Sequence, residues 1–256
     1  MVHPAFLTLP PRPGKPRTAG LTHVLDKGLP VTTLAAVIAA AGKYIEVWKF
    51  GWGTAYLDAA LSDKLELLAR SDIKACLGGT LLEIAWSQGK AQECLDWASR
   101  VGFPCVEVSR GVVPMPPAEK WALIRAATSR FVVLSEVGAK DRTRQLTPAQ
   151  WLTEAEGDLA AGASWVIAEG RESGTEGLYD PSGRVREEVV DAVAASGLDR
   201  VFFEAPRKDQ QAWFIRRFGP GVNLANVAWD DVLSVESLRL GLRSDTVGVG
   251  QAELLS

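Results

Sequence analysis

Eight short apolar runs of β-type residues recur along this chain, and stretches with helical periodicity lie between them. The runs are Leu21–Leu25, Tyr44–Trp48, Ile73–Leu77, Cys105–Val108, Phe131–Leu134, Trp165–Ala168, Val201–Phe203 and Val222–Leu224. Four intervening stretches carry clear stripes: Leu34, Val37, Ile38 and Ala41; Leu57, Leu61, Leu65 and Leu68; Val185, Val189 and Val193; Val232, Val235, Leu238 and Leu242. Spacing of three and four residues places each set on one helix face. Alternating strands and helices imply parallel strands joined by right-handed crossovers. Eight such units in 256 residues fit a single-domain α/β fold, the (β/α)8 TIM barrel, which takes ~250 residues. An open doubly wound sheet is the alternative. Its usual glycine fingerprint is missing, since the first strand ends in Asp26-Lys-Gly28 and Gly51-Trp-Gly53 is only a fragment.

The boundaries follow from composition. Residues 1–17 hold Pro4, Pro10, Pro11, Pro13 and Pro16 and read as an extended lead-in. The barrel is expected over 18–246, with 247–256 as a tail. No apolar run approaches the ~20 residues needed to span a bilayer, and the start lacks the pattern of a cleavable signal. A net charge of −3, from 28 basic and 31 acidic residues, excludes a surface built for nucleic acid. Three cysteines without CxxC spacing point away from disulfides and structural zinc, hence to a reducing, cytoplasmic setting. The only histidines are His3 and His23; His23 sits mid-strand and reads as a packed core residue.

The polar residues that close the strands carry the functional signal. Asp26, Lys49, Glu107 with Ser109, Glu136, Glu169 and Glu204 end the first, second, fourth, fifth, sixth and seventh strands. Strand side chains alternate between faces. Glu136 inward therefore brings Val132 and Leu134 inward, Glu107 inward sends Val106 and Val108 outward, and Glu169 inward brings bulky Trp165 with it. Cys105 shares the inward parity of Glu107 and reads as a small core filler. In barrels the carboxyl ends of the strands form the catalytic face. Five carboxylates and a lysine would then share one mouth. Like charges so close destabilise the fold unless cations or a metal compensate. Lys27, Lys49, Lys140 and Arg171 lie on or beyond these ends, and a hard divalent cation, Mg2+ first, would take two or three carboxylates. The loop Glu169-Gly-Arg-Glu-Ser-Gly-Thr175 offers backbone amides and the Arg171 fork to an anion. Trp52 is either a loop anchor or part of the mouth.

Several blocks, in order, carry a resemblance. They are Lys15-Pro-Arg17 with Gly20 to Gly28, Lys49-Phe-Gly-Trp-Gly-Thr54, Gly78-Gly-Thr-Leu-Leu-Glu83, Gln88-Gly-Lys90, Val106-Glu-Val-Ser109, Glu136-Val-Gly-Ala-Lys140, Glu169 to Gly174, Phe203-Glu-Ala-Pro206 with Gln210-Gln211, and Val222-Asn-Leu-Ala-Asn226. Over residues 14–246 the chain resembles the phosphosulfolactate synthase family, which includes plant heat-stress-associated relatives. The resemblance implies a TIM barrel, Mg2+ dependence, a homo-oligomer, and the addition of sulfite to phosphoenolpyruvate giving (2R)-phospho-3-sulfolactate, a step toward coenzyme M. It implies small anionic substrates, with no nucleic acid or membrane partner. Glu136, Glu169 and Glu204 are then the expected metal ligands, with Glu107 and Asp26 in reserve. Lys27, Lys49, Arg171, Ser173, Gly174 and Lys208 are the expected substrate-binding residues. Lys49 and Lys140 are the expected catalytic lysines, with Lys140, which follows the fifth strand, protonating C2 after sulfite attacks C3. Two other readings stay open: a Schiff-base aldolase using Lys49 or Lys140, and a non-catalytic interaction protein.

Overall fold

A computed structural model describes residues 6–138 and 146–250 of the chain. Eight parallel strands close into a barrel in sequence order. They are β1 Thr22–Asp26, β2 Val47–Phe50, β3 Lys74–Leu77, β4 Cys105–Val108, β5 Val132–Val137, β6 Trp165–Ala168, β7 Val201–Glu204 and β8 Asn223–Ala228. The α-helices among the described residues are α1 Val31–Ala41, α2 Thr54–Leu57, α3 Leu61–Arg70, α4 Gly79–Ser87, α5 Ala91–Val101, α6 Pro117–Ala127, α7 Pro148–Ala160, α8 Glu187–Ala194, α9 Lys208–Phe218 and α10 Val232–Arg239. The expected (β/α)8 barrel is what the chain forms, as a single domain. None of these helices is long and apolar enough to cross a membrane.

The boundaries moved where helix chemistry intervened. The second strand begins at Val47, because Gly42–Tyr44 first complete a 3-10 turn. Leu57 was expected to continue the stripe of α3. It instead ends the short α2, is 82% exposed, and leaves Leu61, Leu65 and Leu68 to pack inward. Val185 precedes α8 and forms an isolated bridge with Tyr179. Leu242 lies beyond the end of α10 and is half exposed. Proline at the first helical position opens both α6 and α7, where its missing N–H costs nothing.

Strand alternation builds two cores. One face of each strand packs outward on the helices, with Val24, Trp48, Val106, Val133, Val166, Phe203 and Leu224 among its residues. The other face fills the barrel with Leu21, Val47, Cys76, Cys105, Leu134, Ile167, Phe202 and Ala225. Trp165 packs against that interior cluster, so the crowding its parity implied is accommodated. All three cysteines are free. The lead-in docks through Arg12, which pairs with Glu236 at 2.7 Å, and Arg17, which pairs with Glu46 at 3.0 Å.

Candidate active site

One step toward the carboxyl end of each strand, the apolar interior gives way to charge. Lys49 is two residues beyond Val47, Glu107 two beyond Cys105, Glu136 two beyond Leu134, Glu169 two beyond Ile167 and Glu204 two beyond Phe202. The period of two delivers all five to the same layer. Each is at most 5% exposed. They line a cavity of about 330 Å³ at the mouth.

Lys49 organises this layer. Its Nζ lies 2.9 Å from Glu107 Oε2, 3.6 Å from Glu204 Oε1 and 4.0 Å from Glu136 Oε2. Burial alone would depress the lysine pKa, but the charges of Glu107, Glu204 and Glu136 outweigh it and hold the ammonium well above its ordinary range. Glu107 Oε1 also accepts from the Gly79 N–H, at 2.9 Å, where the positive end of α4 faces the mouth. Gly79 has no room for a side chain there, since a Cβ would sit 2.2 Å from Ser109 Oγ. That close approach explains the Gly78-Gly-Thr80 block.

The remaining three carboxylates converge. Glu136, Glu169 and Glu204 each offer one oxygen within 4.8 Å of the others. Glu204 Oε2 accepts from Gly170 N–H at 2.9 Å, and Glu169 Oε1 from Arg171 N–H at 2.6 Å, so main-chain amides fix both head groups. Burial first, opposed by Lys49 and reinforced by Glu136, raises the Glu204 pKa. Three buried carboxylates with Lys49 beside them leave an excess of negative charge. An all-oxygen, acid-rich donor set of this kind suits a hard divalent cation.

The rim is built from strained backbone. Among the described residues, Trp52, Asp72, Arg171 and Asn226 are the non-glycine residues with left-handed φ, at 52° to 55°. Trp52, Arg171 and Asn226 line the mouth cavity. Such conformations cost of order 1–3 kcal/mol each and concentrate at functional sites. Trp52 is thus part of the mouth, with Lys27 Nζ 5.8 Å from its ring. Lys27 also lies 4.0 Å from Glu172, and Arg171 pairs with Glu176 at 3.1 Å. Ser173 lines the cavity as well.

Other expected residues lie elsewhere. Asp26, a reserve ligand, faces away from the mouth because Leu25 takes the inward position. Its carboxylate accepts from the N–H groups of Gly28 and Leu29 and from Trp48 Nε1, and lies 3.6 Å from Lys64 on α3. It closes the β1–α1 turn instead. Lys208 opens α9, pairs with Asp245 at 2.9 Å, and is not among the residues lining the mouth. Gly174 supports the loop from behind, its carbonyl accepting from Gln210 Nε2 at 2.8 Å. Lys140 lies outside the described residues. His23 is fully buried inside the barrel and kept neutral, first by burial and then by Lys49.

Some supporting residues escaped the reading of the sequence. Glu83 on α4 accepts from Ser109 Oγ and from the N–H groups of Gly111, Val112 and Val113, which fastens the β4–α6 loop over the mouth. Lys120 on α6 donates to Glu154 and Asp158 on α7 and to the main-chain carbonyl of Glu136. The available signal was helical phase. Lys120 shares a face with Ile124 and Ala127, and Glu154 and Asp158 share one with Trp151 and Ala155.

The (2R)-phospho-3-sulfolactate synthase (ComA) family model matches residues 10–245. The chain belongs to this family. It is 44% identical over 245 residues to the phosphosulfolactate synthase of Bacillus subtilis, covering 94% of this chain and 97% of the relative. It is 46% identical over 236 residues to that of Methanocaldococcus jannaschii, covering 90% and 94%. Solved structures share the fold at low identity. The YdjI aldolase of Escherichia coli K12 superposes with a TM-score of 0.55 at 13% identity, over 93% of this chain and 90% of that one. A 3-hexulose-6-phosphate synthase gives 0.53 at 15%, over 86% and 97%. These two likenesses speak to the barrel alone.

Proposed function

We propose that this chain adds sulfite to phosphoenolpyruvate to give (2R)-phospho-3-sulfolactate, acting as a carbon–sulfur lyase in the synthetic direction, with Mg2+ held by Glu136, Glu169 and Glu204. The observation that carries the reading is the convergence of those three carboxylates beside Lys49 in a phosphosulfolactate synthase family member. When bound, the ion supplies Lewis-acid stabilisation of the negative charge that builds on the substrate carboxylate.

The chain's own residues supply the rest. In the addition, the sulfite sulfur bonds to C3 and the C2–C3 π pair moves toward C2, which then takes a proton. Lys49, held charged, offsets the repulsion among anions gathered at one point. Arg171, Ser173 and Lys27 border the mouth from the loops and offer donors to incoming phosphate and sulfite oxygens. The loop fastened by Glu83 and the residue Trp52 border the opening. We assign protonation of C2 to Lys140, the lysine that follows β5. At Lys49 the Schiff-base alternative fares worse, because a charged, carboxylate-bound lysine is a poor nucleophile.

The test is direct. Mass spectrometry of phosphoenolpyruvate and sulfite incubated with the protein should show phosphosulfolactate with Mg2+ and none with EDTA. Absence of product under both conditions defeats the reading.

A further inference from the structure

Strand β8 does not run in constant register against β1. Thr22 pairs with Leu224, yet Val24, two residues on, pairs with Val227, three residues on. The additional residue on β8 makes a bulge, a device that re-aims side chains beside active sites. Its effect is visible in the packing. Leu224 and Val227 both sit in the outer core and Ala225 in the barrel interior. Simple alternation would send Asn226 outward with Leu224. The bulge turns it into the mouth, where it lines the 330 Å³ cavity and an adjoining one of about 420 Å³ bordered by Lys27, Pro206 and Trp229.

The bulge is pinned from inside. The Asn226 main-chain N–H donates to His23 Nδ1 at 3.3 Å. That bond requires a neutral imidazole carrying its proton on Nε2. Burial and the neighbouring Lys49 keep the ring neutral. Asn226 also adopts φ 52°, a left-handed conformation that asparagine tolerates better than most residues.

The carboxamide so presented has no hydrogen-bond partner among the described residues, although Asn226 is 7% exposed and its Oδ1 is fully buried. The sealed Oδ1 is an acceptor that no anion can satisfy; the amide nitrogen, not among the buried unpartnered atoms, is the one a ligand oxygen in the adjoining cavities can meet. The choice of atom follows from charge. The mouth already has acceptors in excess, with Glu107, Glu136, Glu169 and Glu204 around it. What anionic substrates need there is a donor.

We propose that the Asn226 carboxamide is a substrate-binding group that donates to an oxyanion oxygen at the junction of the two cavities, with His23 as the positioning residue that pins the bulge. The inference rests on the reading of the mouth as a site for anionic substrates. It does not depend on which reaction follows.

Calorimetric titration with phosphoenolpyruvate, inorganic phosphate and sulfite, each separately with Mg2+, identifies the oxyanion concerned. Asn226→Gly keeps the left-handed backbone and removes only the carboxamide. Asn226→Asp keeps the shape and exchanges the donor for a charge. Loss of one hydrogen bond to a charged group predicts about 10-fold weaker binding of the contacted anion for Asn226→Gly, and a larger loss for Asn226→Asp. Mg2+ binding, titrated alone, should be unchanged in both. For His23, KM should rise with little change in kcat in His23→Phe, and His23→Gln, which retains an acceptor, should restore it. Wild-type anion affinities in both Asn226 variants overturn the proposal. So does tighter Mg2+ binding by Asn226→Asp with anion affinity intact, which assigns the carboxamide to the metal. A wild type that binds none of the three anions also overturns it. A wild type that binds them, weakens on substitution, and yet forms no phosphosulfolactate defeats the proposed reaction only.

Discussion

The ammonium of Lys120 lies 2.7 Å from the main-chain carbonyl of Glu136, on the helix side of β5, while the Glu136 carboxylate faces the barrel mouth. Lys120 is fully buried, as is its partner Asp158, and Glu154 is nearly so. Arg110, from the loop after β4, makes two hydrogen bonds to the same Glu154. A buried ionic network thus braces the strand that presents a candidate metal ligand.

Removing one member of such a network leaves its partners charged and uncompensated. Lys120→Met should cost about 3–5 kcal/mol, the usual penalty for breaking a buried pair. Urea unfolding at pH 7 measures it. A loss under about 1 kcal/mol would show that the network is not bracing β5.

Mg2+ should raise the thermal midpoint of the wild type. At a free concentration one hundred times its Kd, a ligand bound only by the folded state adds about 2.7 kcal/mol. Glu204→Gln should lose most of that gain. Its effect on the metal-free protein has the opposite sign. The Glu204 pKa is raised, so ionising this carboxylate costs the folded state stability as pH rises through its folded value. Without metal, Glu204→Gln should therefore melt higher than wild type at pH 8, with the difference shrinking toward pH 4. Scanning calorimetry at the two pH values, with and without Mg2+, decides both points.

Lys49→Met should reduce phosphosulfolactate formation by about 100- to 1,000-fold, the range for losing one preorganised electrostatic group. It also strips Glu107, Glu136 and Glu204 of their shared cation. The Glu204 pKa, already raised, loses the charge that opposes its rise, so the variant should lose more stability than the wild type as pH increases from 5 to 8 in EDTA. The wild type should lose less, because the contribution of Lys49 stays complete below the unfolded lysine value, about 10.4, and is lost only as pH rises toward its higher folded value. Paired melting curves across that range give the comparison. Borohydride with a keto acid should leave Lys49 unmodified by mass spectrometry.

Glu83→Gln removes a charge that accepts from one hydroxyl and three main-chain N–H groups. A destabilisation of about 2–3 kcal/mol is expected from weakening charge-assisted bonds to one buried hydroxyl and three partly buried main-chain N–H groups. Hydrogen exchange at Gly111, Val112 and Val113 should accelerate more than in β4. Equal protection in the two proteins would remove Glu83 from the role of loop fastener.

Much of the barrel was legible because its units are local. A strand and the helix after it each carry their own period, so each run could be found alone. The inward parity of Glu107, Glu136 and Glu169 was legible for the same reason. Asp26 was not. It closes its strand like the others, but Leu25 holds the inward register, and a turn of two main-chain N–H groups claims its carboxylate. Lys208 pairs with Asp245, a contact that its position after β7 does not announce.

Asn226 shows the limit most clearly. It lies two residues beyond the eighth run read from the chain, and alternation from Leu224 would send it outward; the bulge that reverses it exists only where β8 meets β1 on closing the barrel. The amino-acid order determined which residues could face the interior, through the two-residue period of each strand. The closed barrel decided which of them meet. Lys49, Glu107, Glu136 and Glu204 come from four different strands, and their separations of a few ångströms depend on the stagger between neighbours. That stagger is a property of strand pairing and helix packing around the whole ring, and no single segment contains it.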